Sequence, residues 1–148
     1  MPSVPLFDTN IFGSAEYRRL LSLSGEYWMS MVVIQELLVV ADSATVKSYK
    51  KLITELDKRK RLVTPDGSDW FEVGKALSRI HNSGIADLGS LTKEHVNNLV
   101  KDALIARSAI RVGAIVITSN TADFQHIKEV FPSLKYTSPS SYFGVRPR

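Results

Sequence analysis

The chain has 148 residues, 44% of them hydrophobic and 23% charged, with a mean hydropathy of -0.03. That profile is expected of one ordinary folded domain and excludes a disordered or fibrous chain. There is no cysteine, which excludes disulfides, iron–sulfur clusters, thiol catalysis and any zinc site built on Cys, and makes a reducing cytoplasm the expected compartment.

The net charge of +4 and a pI near 9.4 are compatible with an anionic partner such as nucleic acid. The opening MPSVPLFDTN has no basic region followed by a long apolar stretch. No segment approaches the ~20 apolar residues of a membrane span. Export by such a signal and insertion in a membrane are therefore not expected.

Taken in chain order, residues 3–7 read as a strand that stops at Asp8-Thr9-Asn10, side chains that favour turns and helix caps. Ile11, Tyr17, Leu20, Leu21 and Leu23 then predict one helix, ended by Ser24-Gly25. Residues 27–30 read as a second strand, and 31–41 as an apolar helix carrying one charge, Glu36. Val46, Tyr49, Leu52, Ile53 and Leu56 mark an amphipathic helix over 45–60.

A third strand is expected at 61–64, stopped by Pro65-Asp66-Gly67. Ser68 or Asp69 caps a helix to about residue 81, residues 82–90 read as a loop, and Thr92 caps a long helix to Val112, closed by Gly113. Residues 114–118, AIVIT, form the clearest strand, continuous enough to be buried on both faces. Ser119-Asn120-Thr121 starts a helix to Phe131, Pro132 breaks it, and 134–137 add a last strand. The tail from 138 to 148, rich in Ser, Pro and Gly, is expected to be loosely held. Alternating strands and helices predict a single α/β domain with a mainly parallel sheet.

In such folds chemistry collects where the C-terminal ends of strands enter helices. Asp8 ends the first strand, Glu36 interrupts an apolar helix, Asp102 lies in LVKDALIA, and Asp123 follows the AIVIT strand. Each has an ordinary reading: Asp8 as a helix cap, Glu36 in a salt bridge, Asp102 as a surface acid, and Asp123 as an acid at a helix N-terminus. The case rests on the set. Buried carboxylates cost several kcal/mol each unless paired or bound to a cation, and a carboxylate cluster suits hard Mg²⁺ or Mn²⁺. His81, His95 and His126 show no HxxxH or HExxH spacing. Such an ion on a phosphodiester suggests metal-assisted hydrolysis of nucleic acid.

In order and spacing, LFDTNIF, VVIQELL, DALIARSA and IVITSNTADF resemble the motifs of the PIN domain, most of all its VapC-type toxin branch. The resemblance runs from Leu6 to the SPSSYF of 138–143, similar to the family's closing strand and Pro-containing end. It implies a three-layer α/β/α Rossmann-like fold, with Asp8, Glu36, Asp102 and Asp123 together holding Mg²⁺ or Mn²⁺ and carrying catalysis. Thr9 and Asn10 match the polar pair after the first acid, with Asn10 orienting Asp8 or a water. Ser119 and Asn120 match the polar turn before the fourth acid. The ordinary reading of both pairs is that they are turn and cap residues.

Two positions depart from the pattern. Ser119 and Ala122 stand where many relatives carry a basic residue beside that Asn, and Arg107 stands where a small residue is common. Five residues on from Asp102, Arg107 points about 140° around the helix, and is expected to be a surface or dimer-contact residue.

The resemblance implies a metal-dependent endoribonuclease of a type II toxin–antitoxin pair, cytoplasmic, commonly dimeric, and silenced by a small antitoxin. Arg18, Arg19, Lys58, Arg59, Lys60 and Arg61 are the candidate RNA-guiding surface; the ordinary reading of the basic stretch over 47–61 is a solvated helix face. A catalytically inactive PIN-like RNA-binding or scaffold module is the alternative. A phosphotransferase using Asp8 as nucleophile is disfavoured, because the second acid it wants two residues on is replaced by Asn10.

Overall fold

The computed structural model describes residues 3–23, 25–83 and 93–144. Five strands, β1 (Pro5–Phe7), β2 (Met29–Ser30), β3 (Leu62–Val63), β4 (Ile115–Ile117) and β5 (Tyr136–Thr137), alternate with α1 (Thr9–Phe12), α2 (Ala15–Leu23), α3 (Met31–Val39), α4 (Ser43–Lys58), α5 (Gly67–Ser83), α6 (Lys93–Val112), α7 (Thr121–Val130) and α8 (Pro139–Phe143).

All pairings are parallel. β4 lies between β1 and β5, and β2 pairs with β3. A parallel bridge from Leu6 to Trp28, with Trp28 N–H donating to the Pro5 carbonyl at 2.7 Å, joins the two groups in the order β3-β2-β1-β4-β5.

The pleat divides the core. Leu6 and Val116 enter the larger apolar cluster, with Val33 and Ile34 of α3, Leu56 of α4, Val73 of α5, Leu104 and Ile105 of α6 and Phe124 of α7. Phe7 and Ile117, one residue on in each strand, point the other way with Ile11, Tyr17, Leu21 and Phe143. Helices thus cover both faces of a parallel sheet, the three-layer α/β/α arrangement, which explains why β1 and β4 read as nearly unbroken apolar runs.

The first helix is broken where one was expected. Gly13 ends α1, and Ser14 restarts the chain by accepting the Tyr17 N–H on its hydroxyl at 3.3 Å. Asp42 caps α4, whose first residue, Ser43, lies two residues before the expected start. At α5, Asp66 rather than Ser68 or Asp69 is the cap: Asp69 N–H donates to Asp66 Oδ1 at 2.9 Å and Asp66 N–H to Asp69 Oδ2 at 3.0 Å, a reciprocal box. Gly113 closes α6 in the left-handed conformation at φ 70, as expected, with Ala114 N–H reaching back to the Ala109 carbonyl.

One expectation fails and another is narrowed, each for a physical reason. Residues 138–144 are not loose: Ser138 caps α8, and Phe143 stacks on Phe7 and Tyr17 at centroid distances of 6.0 and 6.1 Å. Arg107 is only partly at the surface: with 31% of its side chain exposed, it pairs at 3.4 Å with Asp69, which is only 1% exposed and also holds Arg111 at 2.8 Å, and it lies over the Phe131 ring. The 140° that turn Arg107 away from Asp102 turn it into the α5–α6 seam. The expected terminator Ser24, the 84–90 part of the expected loop, the Thr92 cap and residues 145–148 lie outside the described residues. Among those described, no helix is long and apolar enough to cross a membrane.

Candidate active site

Asp8 follows β1 directly and is 3% exposed. It both caps α1 and faces a pocket. Oδ1 accepts the Thr9 N–H at 2.8 Å, while Oδ2 accepts from Thr118 Oγ1 at 2.7 Å and Asn10 Nδ2 at 3.2 Å. Three donors would normally favour the ionised form, yet burial outweighs them and pushes the Asp8 carboxyl up from its ordinary value. Asn10 also accepts the Ser119 N–H on Oδ1 at 3.1 Å, tying the end of β1 to the turn after β4.

α3 starts immediately after β2, capped by Ser30. Its inner face buries Val32, Val33 and Ile34, and Glu36 projects to the pocket, where Oε1 accepts from Thr9 Oγ1 at 3.1 Å. Burial raises the Glu36 pKa, helped by the Asp8 charge, while the Thr9 hydrogen bond and, less, Lys101 oppose the shift.

From the turn after β4, Asn120 gives one amide hydrogen to each of two acids: Nδ2 lies 3.0 Å from Asp102 Oδ2 and 2.9 Å from Asp123 Oδ2. It makes no side-chain cap on α7; its amide is committed to the acids.

Asp102, on α6, is 8% exposed, and its pKa is pushed up to about 8, first by burial and then by the charges of Asp8, Asp123 and Glu36. Those four acids, with Thr9, Asn10, Glu94, His95, Asn98 and Asn120, line one cavity of about 590 Å³. Among the described residues, no lysine or arginine lines it. Asn10, Thr118 and Asn120 hold the acids around the cavity, but among the described residues no three His, Asp or Glu side chains are grouped so that they could hold a metal ion.

A site with five acidic side chains, Glu94 being the fifth, with amide and hydroxyl donors behind them and, among the described residues, no lysine or arginine in its lining has the chemistry of a hard divalent ion's seat. The high pKa of Asp102 reports the same deficit of positive charge.

The structure therefore brings Asp8, Glu36, Asp102 and Asp123 to one cavity, with Thr9, Asn10 and Asn120 on them. Ser119 contributes its backbone N–H to Asn10, and its side chain is exposed. The basic candidates stand elsewhere. Lys58, Arg59, Lys60 and Arg61 lead into the N-terminal end of β3, whereas Asp8, Glu36 and Asp123 come after the C-terminal ends of β1, β2 and β4. Arg61 is committed to Glu26 at 2.9 Å and to the Trp28 ring at 4.9 Å. Arg18 and Arg19 are exposed on α2, and none of the six lines the cavity.

Three contributors escaped sequence reasoning. Thr118 is fully buried and is the hub between Asp8 Oδ2 and the Asn120 N–H, which it accepts at 2.9 Å; a hydroxyl closing an otherwise apolar strand was its signal. His95 and Asn98 precede Asp102 by seven and four residues, the helical spacing that shares one face, and both line the cavity.

Comparison with known proteins places this geometry in a family. The family model described as PIN domain matches residues 6–130. Solved structures with a similar fold include VapBC2 from Rickettsia felis bound to a DNA fragment from their promoter (20% identity, TM-score 0.55, 91% of this chain and 98% of that one). FitAcB from Neisseria gonorrhoeae is similar at 15% identity and TM-score 0.57, over 92% of this chain and 98% of that one. VapBC-1 from nontypeable Haemophilus influenzae is similar at 20% identity and TM-score 0.56, over 91% and 97%. No curated protein matches. With the family model covering four strands and the turn that carries the last acid, the chain belongs to the PIN domain family.

Proposed function

We propose that this protein is a divalent-metal-dependent endoribonuclease, the toxin of a toxin–antitoxin pair, working in the cytoplasm. PIN domains are generally nucleases and typically use divalent metals. The observation that carries the reading is the convergence of Asp8, Glu36, Asp102 and Asp123, with Glu94 as a fifth acid, on one cavity in whose lining, among the described residues, there is no lysine or arginine. An inactive scaffold would have no reason to keep so costly an arrangement, since each uncompensated buried charge opposes folding.

Asp8, Glu36, Asp102 and Asp123 would hold the ion, which would be Mg²⁺ or Mn²⁺. When bound, it would offset their charge, polarise a phosphoryl oxygen and acidify the attacking water. The chain's own groups do the rest. Thr118 and Asn10 fix Asp8, Thr9 fixes Glu36, and Asn120 fixes Asp102 and Asp123 together. Asp102, raised to about 8, carries a proton at neutral pH, which it would release in order to take a cation. Arg18, Arg19, Lys58, Arg59 and Lys60, all exposed, would draw RNA toward the protein from outside the cavity as sequence-independent phosphate contacts. A small antitoxin and a second copy of this chain are the partners in this reading. It is supported by the fold shared with proteins solved as VapBC2 and FitAcB.

The test is cleavage of single-stranded and structured RNA by purified protein. Cleavage that needs Mg²⁺ or Mn²⁺, stops with EDTA and is lost in Asp8→Asn supports the proposal. Cleavage that survives in Asp8→Asn refutes the metal mechanism, and no cleavage of any RNA by metal-loaded wild type favours the inactive module.

A further inference from the structure

Asp123 is held at both carboxylate oxygens. Asn120 Nδ2 donates to Oδ2 at 2.9 Å from the preceding turn, and on the other side His95 Nε2 stands 3.3 Å from Oδ1. An ionised carboxylate only accepts, so the network assigns the hydrogen to His95 Nε2. The two residues come from different helices: His95 from the first turn of α6, Asp123 from the first turn of α7. His95 lies two turns, ~10 Å along the axis, before Asp102 on the same helix.

A carboxylate's terminal torsion is soft and roughly two-fold, so one hydrogen bond leaves the group free to swivel. A donor on each oxygen fixes its plane. Asp123 is placed where such fixing matters, since its side chain is 17% exposed and it stands near enough to Asp102 to raise that carboxyl. His95 keeps 42% of its side chain exposed and lines the same cavity as Asp123.

We infer that His95 is a positioning residue of the active site, a brace from α6 that holds Asp123 of α7 in the orientation in which it takes a divalent cation. The inference rests on the proposed metal-dependent function and extends it by a residue outside the acidic set. Outer partners of metal-ligating carboxylates are worth about 10–100-fold in metal affinity. Gln can present its amide nitrogen where His presents Nε2, whereas Ala removes the donor.

The experiment is Mn²⁺ titration of the full chain by calorimetry, with no RNA present, for wild type, His95→Ala, His95→Gln and Asp123→Asn, and for His95→Ala combined with Asp123→Asn. The expected result is about tenfold or greater loss of Mn²⁺ affinity in His95→Ala, recovered in His95→Gln. In the Asp123→Asn background, removing His95 should change affinity by less than about twofold, because the residue it acts through has lost its charge.

Wild-type affinity in His95→Ala overturns the inference, as does a His95→Gln variant as weak as His95→Ala, or equal losses in both backgrounds. If His95→Ala does not fold, the comparison of His95→Gln with wild type decides: a tenfold loss there removes the donor role. Failure of the wild type itself to bind Mn²⁺ is a different outcome and falls on the proposed function.

Discussion

Replacing Asp102 by Asn should make the metal-free protein more stable at high pH. Asn has nearly the same shape, carries no charge, and can still accept the Asn120 amide that now lies 3.0 Å from Asp102 Oδ2. In the wild type the Asp102 pKa rises from 3.8 to about 8, first through burial and then through Asp8, Asp123 and Glu36. A carboxyl whose folded value is raised binds more protons folded than unfolded. Its contribution is therefore fully present below about pH 3.8 and is lost as pH rises through about 8.

Between about pH 5 and pH 8 that is roughly three pH units, each worth ~1.4 kcal/mol, or about 4 kcal/mol that the wild type loses and Asp102→Asn does not. For a chain of this size 1 kcal/mol moves Tm by about 2–4 °C, so the gap between variant and wild type should widen by roughly 10 °C from about pH 5 to about pH 9. Scanning calorimetry in EDTA measures it. Saturating Mn²⁺ should reverse the order, since only the wild type keeps all four acids for the ion. A gap that does not widen with pH in EDTA would refute the claim that charge repulsion and burial at Asp102 strain the apo fold.

Other consequences are equally direct. Asn120→Ala removes both amide hydrogen bonds to Asp102 and Asp123 and should weaken Mn²⁺ binding about 10–100-fold in a calorimetric titration while the protein stays folded. Asp69→Ala leaves Arg107 and Arg111 without their shared buried partner and should cost about 3 kcal/mol, seen as a Tm lower by roughly 10 °C. Phe143→Ala strips the stacks on Phe7 and Tyr17 and should cost about 2 kcal/mol in urea unfolding with Mn²⁺ affinity unchanged, because α8 covers the sheet face opposite Leu6 and Val116.

The fold was legible wherever apolar period and turn chemistry agreed. AIVIT could only be an inner strand, and Gly113 could only be a left-handed stop. What stayed hidden depended on the third dimension. Gly13-Ser14 splits a helix whose apolar positions continue across the break. SPSSYF is polar by composition, yet one residue, Phe143, anchors it. Arg107 could be placed at the right angle from Asp102, but not against Asp69, which comes from a helix far away in sequence.

At the site the four acids stood out because charge in apolar sequence demands compensation, and the structure gathers them on one cavity. Thr118 and His95 carried no such anomaly: a Thr ends many strands, and a His in a polar first turn looks ordinary. The basic residues show the opposite lesson. Their density over 58–61 was plain, yet the strand direction puts them at the end of the sheet away from the acids, and Arg61 is occupied by Glu26 and Trp28.

The central claim is that Asp8, Glu36, Asp102 and Asp123 together seat a divalent cation. Counting bound Mn²⁺ by its paramagnetic resonance at about pH 8, in the wild type and in Asp8→Asn, Glu36→Gln, Asp102→Asn and Asp123→Asn, tests it most directly. The account predicts saturable binding by the wild type and at least about tenfold weaker binding in every variant; wild-type protein that binds no Mn²⁺, or variants that bind it as tightly, would contradict it.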